Sequence, residues 1–228
     1  MKFIHTADLH LDSPFSNLMG GQMPTELWDL IYKSTYRSFQ RIVDAAIKQQ
    51  VDFVLIVGDL FDRRTRSVKA QNFLERCLKK LDQYQIPVYL SFGNHDYYNG
   101  DYHALRYPRN THVFPARVTT KFLDLRNGQR VGITGFSYQR RWESQRMIDR
   151  FQPKRDNVDY QIGMIHGQVS GGHSNYTPFN VNELKAKQYD YWALGHVHKR
   201  QALCSQPPAG YCGNIQGRNP NENGDKGY

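Results

Sequence analysis

The sequence predicts an α/β domain whose functional groups stand at the carboxyl ends of its strands. Three observations carry that reading. Apolar runs alternate with helical periodicities in the order β-α-β-α-β as far as Phe92, the pattern of a parallel sheet with crossover helices. The run Val54-Leu55-Ile56-Val57 lacks polar alternation and stops abruptly at Gly58-Asp59, as a strand buried on both faces would. The strands then end repeatedly in Asp, Asn or His beside glycine, on the side where open α/β sheets bind ligands.

Each element follows in order. Lys2 to Ala7 is a short first strand leading to Asp8-Leu9-His10. Residues 11–24 contain Pro14, Gly20, Gly21 and Pro24 and read as a loop. A helix is expected from about Thr25 to Gln50, capped by Thr25. Its apolar stripe is Leu27, Leu30, Ile31, Phe39, Ile42, Val43, Ala46 and Ile47. After the Val54 strand, a second helix spans about Val68 to Tyr84. Pro87 ends it and admits the strand Val88 to Phe92, which runs into Gly93-Asn94-His95-Asp96.

Beyond that point the character changes. Residues 97–110 are loop, and short strands are expected at Val113 to Phe114 and Val118 to Leu125. Asn127-Gly128 signals a hairpin before Gln129 to Gly135. Arg141 to Phe151 reads as a short helix, and Tyr160 to Ile165 as a strand ending in His166-Gly167. A helix at about Val181 to Lys187 precedes the strand Tyr189 to Leu194, which ends in Gly195-His196-Val197-His198. Strands return at Arg200 to Cys204 and Ala209 to Cys212. There is no repeat or linker, so one domain is expected.

With 228 residues the chain can bury a sizeable core. Lys plus Arg is 30 and Asp plus Glu is 21, a formal charge of +9. That excess suits a polyanionic partner such as nucleic acid, although plain solubility explains it too. Cys77, Cys204 and Cys212 are odd in number and lack CxxC spacing, which argues against a disulfide framework or a thiolate zinc site. A reducing cytoplasm is the expected compartment. Asp and His interrupt the first residues too early for a signal peptide. No apolar run approaches the roughly 18 residues of a membrane span.

Five expected strands thus end in metal-ligand types: Asp8/His10, Asp59, Asn94/His95, His166 and His196/His198. Asp8 with His10, and His196 with His198, stand at i and i+2 and can converge on one point. Oxygen and imidazole donors without sulfur suit Mn, Fe or Zn. The donors are too many for one tetrahedral ion, so two ions are the economical reading. Two dications about 4 Å apart repel by roughly 17 kcal/mol at an effective dielectric near 20, so an anion must lie between them. Asp59 is the choice for that bridge. With Asp8 as the other carboxylate, the centre keeps net positive charge and attracts a phosphate ester.

Taken together and in order, Asp8-Leu9-His10, Gly58-Asp59-Leu60-Phe61-Asp62, Gly93-Asn94-His95-Asp96, His166-Gly167 and Gly195-His196-Val197-His198 resemble the five motifs of the calcineurin-like metallophosphoesterases. The opening His5 to Asp12 and the tail Gly213 to Arg218 with Glu222 and Lys226-Gly227-Tyr228 are similar to its DNA-repair exonuclease branch, the SbcD-like nucleases, and within it to the YhaO-like group. The resemblance implies a two-sheet β-sandwich flanked by helices. Asp8, His10, Asp59 and His198 would hold one divalent ion, and Asp59, Asn94, His166 and His196 the other. Both would be manganese, with Fe or Zn as substitutes. They would activate water for in-line attack on a DNA phosphodiester, and His95 would assist the leaving oxygen. The reaction would be that of a metal-dependent exonuclease or endonuclease of DNA repair.

The resemblance also implies that residues 1–228 are a catalytic domain without the capping and partner-binding regions of the branch. The partners would be DNA, an ABC-type ATPase subunit of the SbcC kind and, through the helix near residues 68–84 and the loop after His95, a second copy. Some relatives carry His where this chain has Asp62. Asp62 reads equally as a turn residue and as a residue behind the ligands, with Arg63, Arg64 and Arg66 on phosphates. Asp96 follows His95, but neighbours on an extended segment point apart, so the two need not pair. Gln216 and Arg218 are further nucleic-acid contacts on the strength of the tail. Arg140, Arg141, Arg146, Arg150, Lys154 and Arg155 around Trp142 and Phe151 read first as a solvated helix face and second as a backbone contact. Tyr97, Tyr98, Tyr102 and His103 line the groove or pack the loop. Two other readings stay open: a phosphoesterase acting on small phosphoesters or phosphoproteins, and a DNA-binding scaffold for an ATPase.

Overall fold

The structure is a computed structural model and describes residues 1–13, 15, 24–62, 67–98, 106–170 and 173–228. Strands β1 (Phe3–Thr6), β2 (Phe53–Val57), β3 (Val88–Ser91) and β4 (Thr111–Val113) form a four-stranded sheet in that spatial order. All three pairings are parallel. Right-handed crossovers that always step the same way leave the connecting helices on one face. Helices α2 (Ser34–Lys48) and α3 (Val68–Gln83) accordingly share that face. Phe39, Ile42, Val43, Leu74, Leu78 and Leu81 of these helices bury Val54, Ile56, Val88 and Leu90 of the sheet.

The opposite face is free for a second sheet. Alternate residues of the same strands, Phe53, Leu55, Val57 and Tyr89, pack there on Val131, Ile133, Ile162 and Met164. These belong to a six-stranded sheet of β5 (Thr119–Asp124), β6 (Arg130–Gly135), β7 (Tyr160–His166), β8 (Tyr191–Gly195), β9 (Gln201–Ser205) and β10 (Pro208–Tyr211), in the order β5-β6-β7-β8-β10-β9. β6, β7, β8 and β10 run parallel, and β5 and β9 are antiparallel edges. Its outer face buries Trp192, Leu194 and Ile165 under Phe179, Leu184, Ile148 and Phe151, from the flank that includes α4 (Val181–Ala186). The domain is therefore an α/β two-sheet sandwich flanked by helices. Because β2 is buried by helices on one side and a sheet on the other, its sequence carries no polar alternation.

Several expectations shift. The long first helix is two: α1 (Thr25–Tyr32) ends at Lys33 and α2 begins at Ser34. The Ser34 hydroxyl donates to the Ile31 carbonyl at 2.6 Å, a side-chain bond that competes with the helix ladder. Pro24 holds the N-cap position of α1, so Thr25 is not its cap. The stripe also divides. Leu27 and Leu30 are exposed, and no α1 residue enters the core formed by α2, α3 and the sheet. The helix expected over Arg141 to Phe151 is a single 3-10 turn, Met147–Arg150. Residues before it are drawn out, with Glu143 bridged to Tyr176, which leaves too little chain to coil. The three cysteines are free. No described helix is long and apolar enough to cross a membrane.

Candidate metal centre

The carboxyl ends of both sheets meet at one point. Past β1 the chain keeps step with the segment past β2: the Asp8, His10 and Leu11 amides donate to the Gly58, Asp59 and Leu60 carbonyls at 3.1, 3.0 and 2.9 Å. β7 and β8 are paired to their ends, His166 opposite Gly195. Asp8, His10 and Asp59 turn inward through the left-handed backbone region, with φ of 51°, 40° and 53°, and His196 has φ 98°. Such residues cost about 1–2 kcal/mol each outside glycine. The convergence of Asp8 with His10 is thus made by two strained residues and not by strand alternation. Gly58 and Gly93 make room. A Cβ on Gly58 would strike the His166 ring, and one on Gly93 would strike the Asp59 carboxylate.

Asp8, His10, Asp59 and His166 form a floor at or below 1% exposure. His10 Nε2 lies 3.8 Å and His166 Nε2 3.4 Å from the same oxygen, Asp59 Oδ2. Asp59 Oδ1 accepts the His95 amide at 2.9 Å. Asn94 Oδ1 stands 3.0 Å from His166 Nε2 and 3.1 Å from His196 Nδ1. His10 and His198 bring their Nε2 atoms to 3.1 Å, and His198 Nε2 is 3.9 Å from Asp8 Oδ1. Asp8 accepts the His196 amide on both oxygens, at 3.2 and 3.0 Å.

The donor set fits a cation. Ligand-type atoms of Asp8, His10 and His198, and of Asp8, Asp59 and His166, lie within 4.8 Å of one another. Asp8 joins both groups and Asp59 is the carboxylate that faces His10 and His166 together. His166 Nδ1 lies 2.9 Å from the Val57 carbonyl. A carbonyl only accepts, so Nδ1 carries a hydrogen and Nε2, once it gives up its proton to a cation, would present its lone pair inward. Among the described residues, His10 Nδ1 is buried without a hydrogen-bond partner.

Electrostatics sort the groups. Burial pushes both buried carboxyls up. At Asp59 the His166 ring outweighs it and holds the pKa well below the usual range, whereas Asp8 stays raised. Burial lowers His166, but the Asp59 charge lifts it to about 9. Burial and the His166 charge take His196 down to about 3. Burial opposes a proton on His95, yet the Asp62 and Asp59 carboxylates raise its pKa overall.

Some of the other expected residues stand around this floor. His95 and Asp62 sit on the rim, with Nδ1 and Oδ1 3.5 Å apart. His10, Asp62 and His95 form a third close grouping. Asp96 does not pair with His95. It accepts the Leu60 and Gly93 amides at 2.6 and 2.7 Å and ties the two strand exits together. Burial and the Asp59 charge push its pKa up to about 7. Arg218 Nη1 donates to Asp62 Oδ2 at 2.9 Å. Gln216 lines a neighbouring groove with Phe15, Leu30 and Ile31. Arg63, Arg64 and Arg66, and Tyr102 and His103, lie outside the described residues. The arginine cluster is dispersed. Arg146 pairs with Glu183, Lys154 pairs with Asp190, Arg155 lies over Phe122, and Phe151 is core.

Three contributors give no sequence signal of their own kind. Glu222 Oε1 lies 2.9 Å from His198 Nδ1. The Tyr176 ring lies 4.5 Å from that of His196, and Tyr138 sets its ring edge-on to His166 at 5.6 Å. The tail motif was the one pointer to Glu222.

The sequence profile of the calcineurin-like phosphoesterases matches residues 1–200. An uncharacterized metallophosphoesterase, YhaO, from Bacillus subtilis is 43% identical over all of this chain and 56% of its own length. The DNA double-strand break repair protein Mre11 of Methanocaldococcus jannaschii is 29% identical over 88% of this chain and 52% of its own length. The chain thus spans about half the length of the curated relatives it matches. Among solved structures, a dimetal phosphatase from Danio rerio covers 94% of this chain with a TM-score of 0.54 at 12% identity, a likeness of fold.

Proposed function

The chain belongs to the calcineurin-like phosphoesterase family, and from that premise we propose that it hydrolyses DNA phosphodiesters with two divalent ions, manganese by preference. The observation that carries the reading is Asp59. One carboxylate, kept charged, faces His10 on one side and His166 on the other. Asp8, His10, Asp59 and His198 would hold one ion, and Asp59, Asn94, His166 and His196 the other. Bound there, the pair supplies Lewis acidity and an activated water for in-line displacement at phosphorus.

The chain's own groups do the rest. The floor of Asp8, His10, Asp59 and His166 is closed to solvent. His95 stands at the open side with its side chain 30% exposed, so substrate enters over it. Its Nδ1 faces Asp62, which leaves Nε2 to give a proton to the departing oxygen or to neutralise it. The +9 charge and the double-strand break repair relatives support DNA as the substrate. Action with an ABC-type ATPase subunit belongs to the same reading.

The test is manganese-dependent cleavage of labelled single- and double-stranded DNA by the full-length protein with its partner. Asp59→Ala and His95→Ala serve as controls. Cleavage lost in both variants is expected, with DNA and a bis-aryl phosphodiester preferred over a phosphomonoester. Preference for the monoester would move the substrate to small phosphoesters, and DNA binding without any metal uptake would make the protein a scaffold.

A further inference from the structure

The segment after β10 makes contacts that reach two separate parts of the centre. Glu222 is its hub. Oε1 accepts from His198 Nδ1 and from Asn219 Nδ2, both at 2.9 Å, and Oε2 accepts from Asn214 Nδ2 at 2.7 Å and from the Arg218 amide at 2.8 Å. A carboxylate can only accept, so His198 carries its hydrogen on Nδ1 and turns a lone pair on Nε2 toward Asp8 and His10. The His198 backbone is gripped as well: its carbonyl accepts the Asn214 amide at 3.1 Å and Lys226 Nζ at 3.3 Å. A few atoms away, Arg218 Nη1 donates to Asp62 Oδ2 at 2.9 Å, and Asp62 Oδ1 faces His95 Nδ1 at 3.5 Å. Glu222 and Arg218 are mostly buried, with side chains 16% and 18% exposed. Since the guanidinium is already placed on Asp62, its part is internal before it is external.

We propose that the loop of residues 214–222 is a positioning device for both halves of the reaction. Glu222 sets the ring and tautomer of His198 for its ion. Arg218 sets Asp62 and, through it, His95 for the leaving oxygen. The Arg218 part rests on the phosphodiesterase reading above; the Glu222 part needs only a metal.

The two assignments separate experimentally. In calorimetric titration with manganese, Glu222→Ala should weaken one of two sites by about 10- to 100-fold, the usual cost of losing a group behind a metal ligand. Glu222→Gln keeps an oxygen for the Nδ1 hydrogen and should recover most of that affinity. Nitrogen NMR of His198 should show the Nδ1–H tautomer in wild type and Glu222→Gln. Arg218→Ala should leave the manganese titration unchanged. It should lower kcat more on a phosphodiester with an alkoxide leaving group than on one with p-nitrophenolate, with Arg218→Lys in between. Titrations of both Glu222 variants that match wild type would overturn the first assignment, and if Glu222→Ala does not fold, Glu222→Gln with the NMR tautomer decides it. A rise in KM alone, equal for both leaving groups, would overturn the second and make Arg218 a substrate contact. A wild type that takes up manganese and hydrolyses neither diester would overturn the Arg218 assignment together with the phosphodiesterase reading, and leave the Glu222 titration standing.

Discussion

His166 closes β7 and gives its Nδ1 hydrogen to a backbone carbonyl of the other sheet, whereas His198 stands beyond β8 and gives its hydrogen to the Glu222 side chain. His166 is 1% exposed and the His198 side chain 21%. One half of the site is therefore part of the sandwich itself, set by strand register. The other half is added by a loop that holds the His198 ring through a single carboxylate. The first can be disturbed only by disturbing the core, while the second can be loosened with the core intact.

The largest effect should come from the group that the two halves share. Asp59→Ala is expected to remove both ions and lower kcat/KM by at least about a thousandfold, read by elemental analysis beside kinetics. His166→Ala should mainly empty one site. Asp8→Ala is the sharper variant, because Asp8 touches both groups of donors. If Asp59, Asp8 and His166 variants all lose metal equally, the shared carboxylate is not special. His95→Gln comes next. It should keep both ions and lose roughly 10²- to 10⁴-fold in kcat, the range for a general acid; loss of metal would place His95 among the ligands.

Gly93→Ala probes the sheet-built half without replacing a donor. The added methyl meets the Asp59 carboxylate and amide, and overpacking of this kind costs about 1–3 kcal/mol. Thermal denaturation should register that cost, and manganese affinity should fall with it. An unchanged titration would mean that the Asp59 exit yields more readily than the packing implies.

An effect that shows only as pH falls separates a buried histidine of the core from those of the centre. His5 Nδ1 is 3.1 Å from the Tyr191 hydroxyl and Nε2 3.1 Å from the Leu194 carbonyl, where burial takes its pKa down to about 4. The unfolded chain titrates near 6.5, so between those values the unfolded state binds the extra proton. The stability is complete above about pH 6.5 and lost as pH falls toward 4, by about 3 kcal/mol. Denaturant titrations of wild type and His5→Phe at pH 7 and pH 4.5 should diverge by most of that amount. Parallel pH profiles would show that His5 is not held neutral.

The contrast between the two halves also marks how far the sequence could be read. β2 and the residues beyond it were legible because burial on both faces erases polar alternation and because the other four strand ends carry donors too, without which Gly58-Asp59 reads as a turn or a helix cap. The histidines of β7 and β8 stood out by position at strand ends. Asp62 stayed ambiguous, since its partners Arg218 and His95 come from distant segments. Glu222 was visible only as part of a tail motif. A bond from residue 198 to residue 222 across an irregular loop has no period for a pattern to reveal. The apolar stripe of α1 misled for a related reason: periodicity records a face but not whether a sheet lies beneath it.

The backbone at Asp8, His10 and Asp59 has a consequence for selection. Glycine enters the left-handed region freely, and asparagine, aspartate and histidine more readily than other side chains, but asparagine at 8 or 59 would also relieve the mutual repulsion of two enclosed carboxylates. In a chelator, a library ranked by heat resistance alone should drift toward Asn or Gly at these positions and discard the centre. With manganese present, binding favours the native fold and the ranking should reverse. The residues proposed to hold the ions are then those that a purely conformational criterion would replace first.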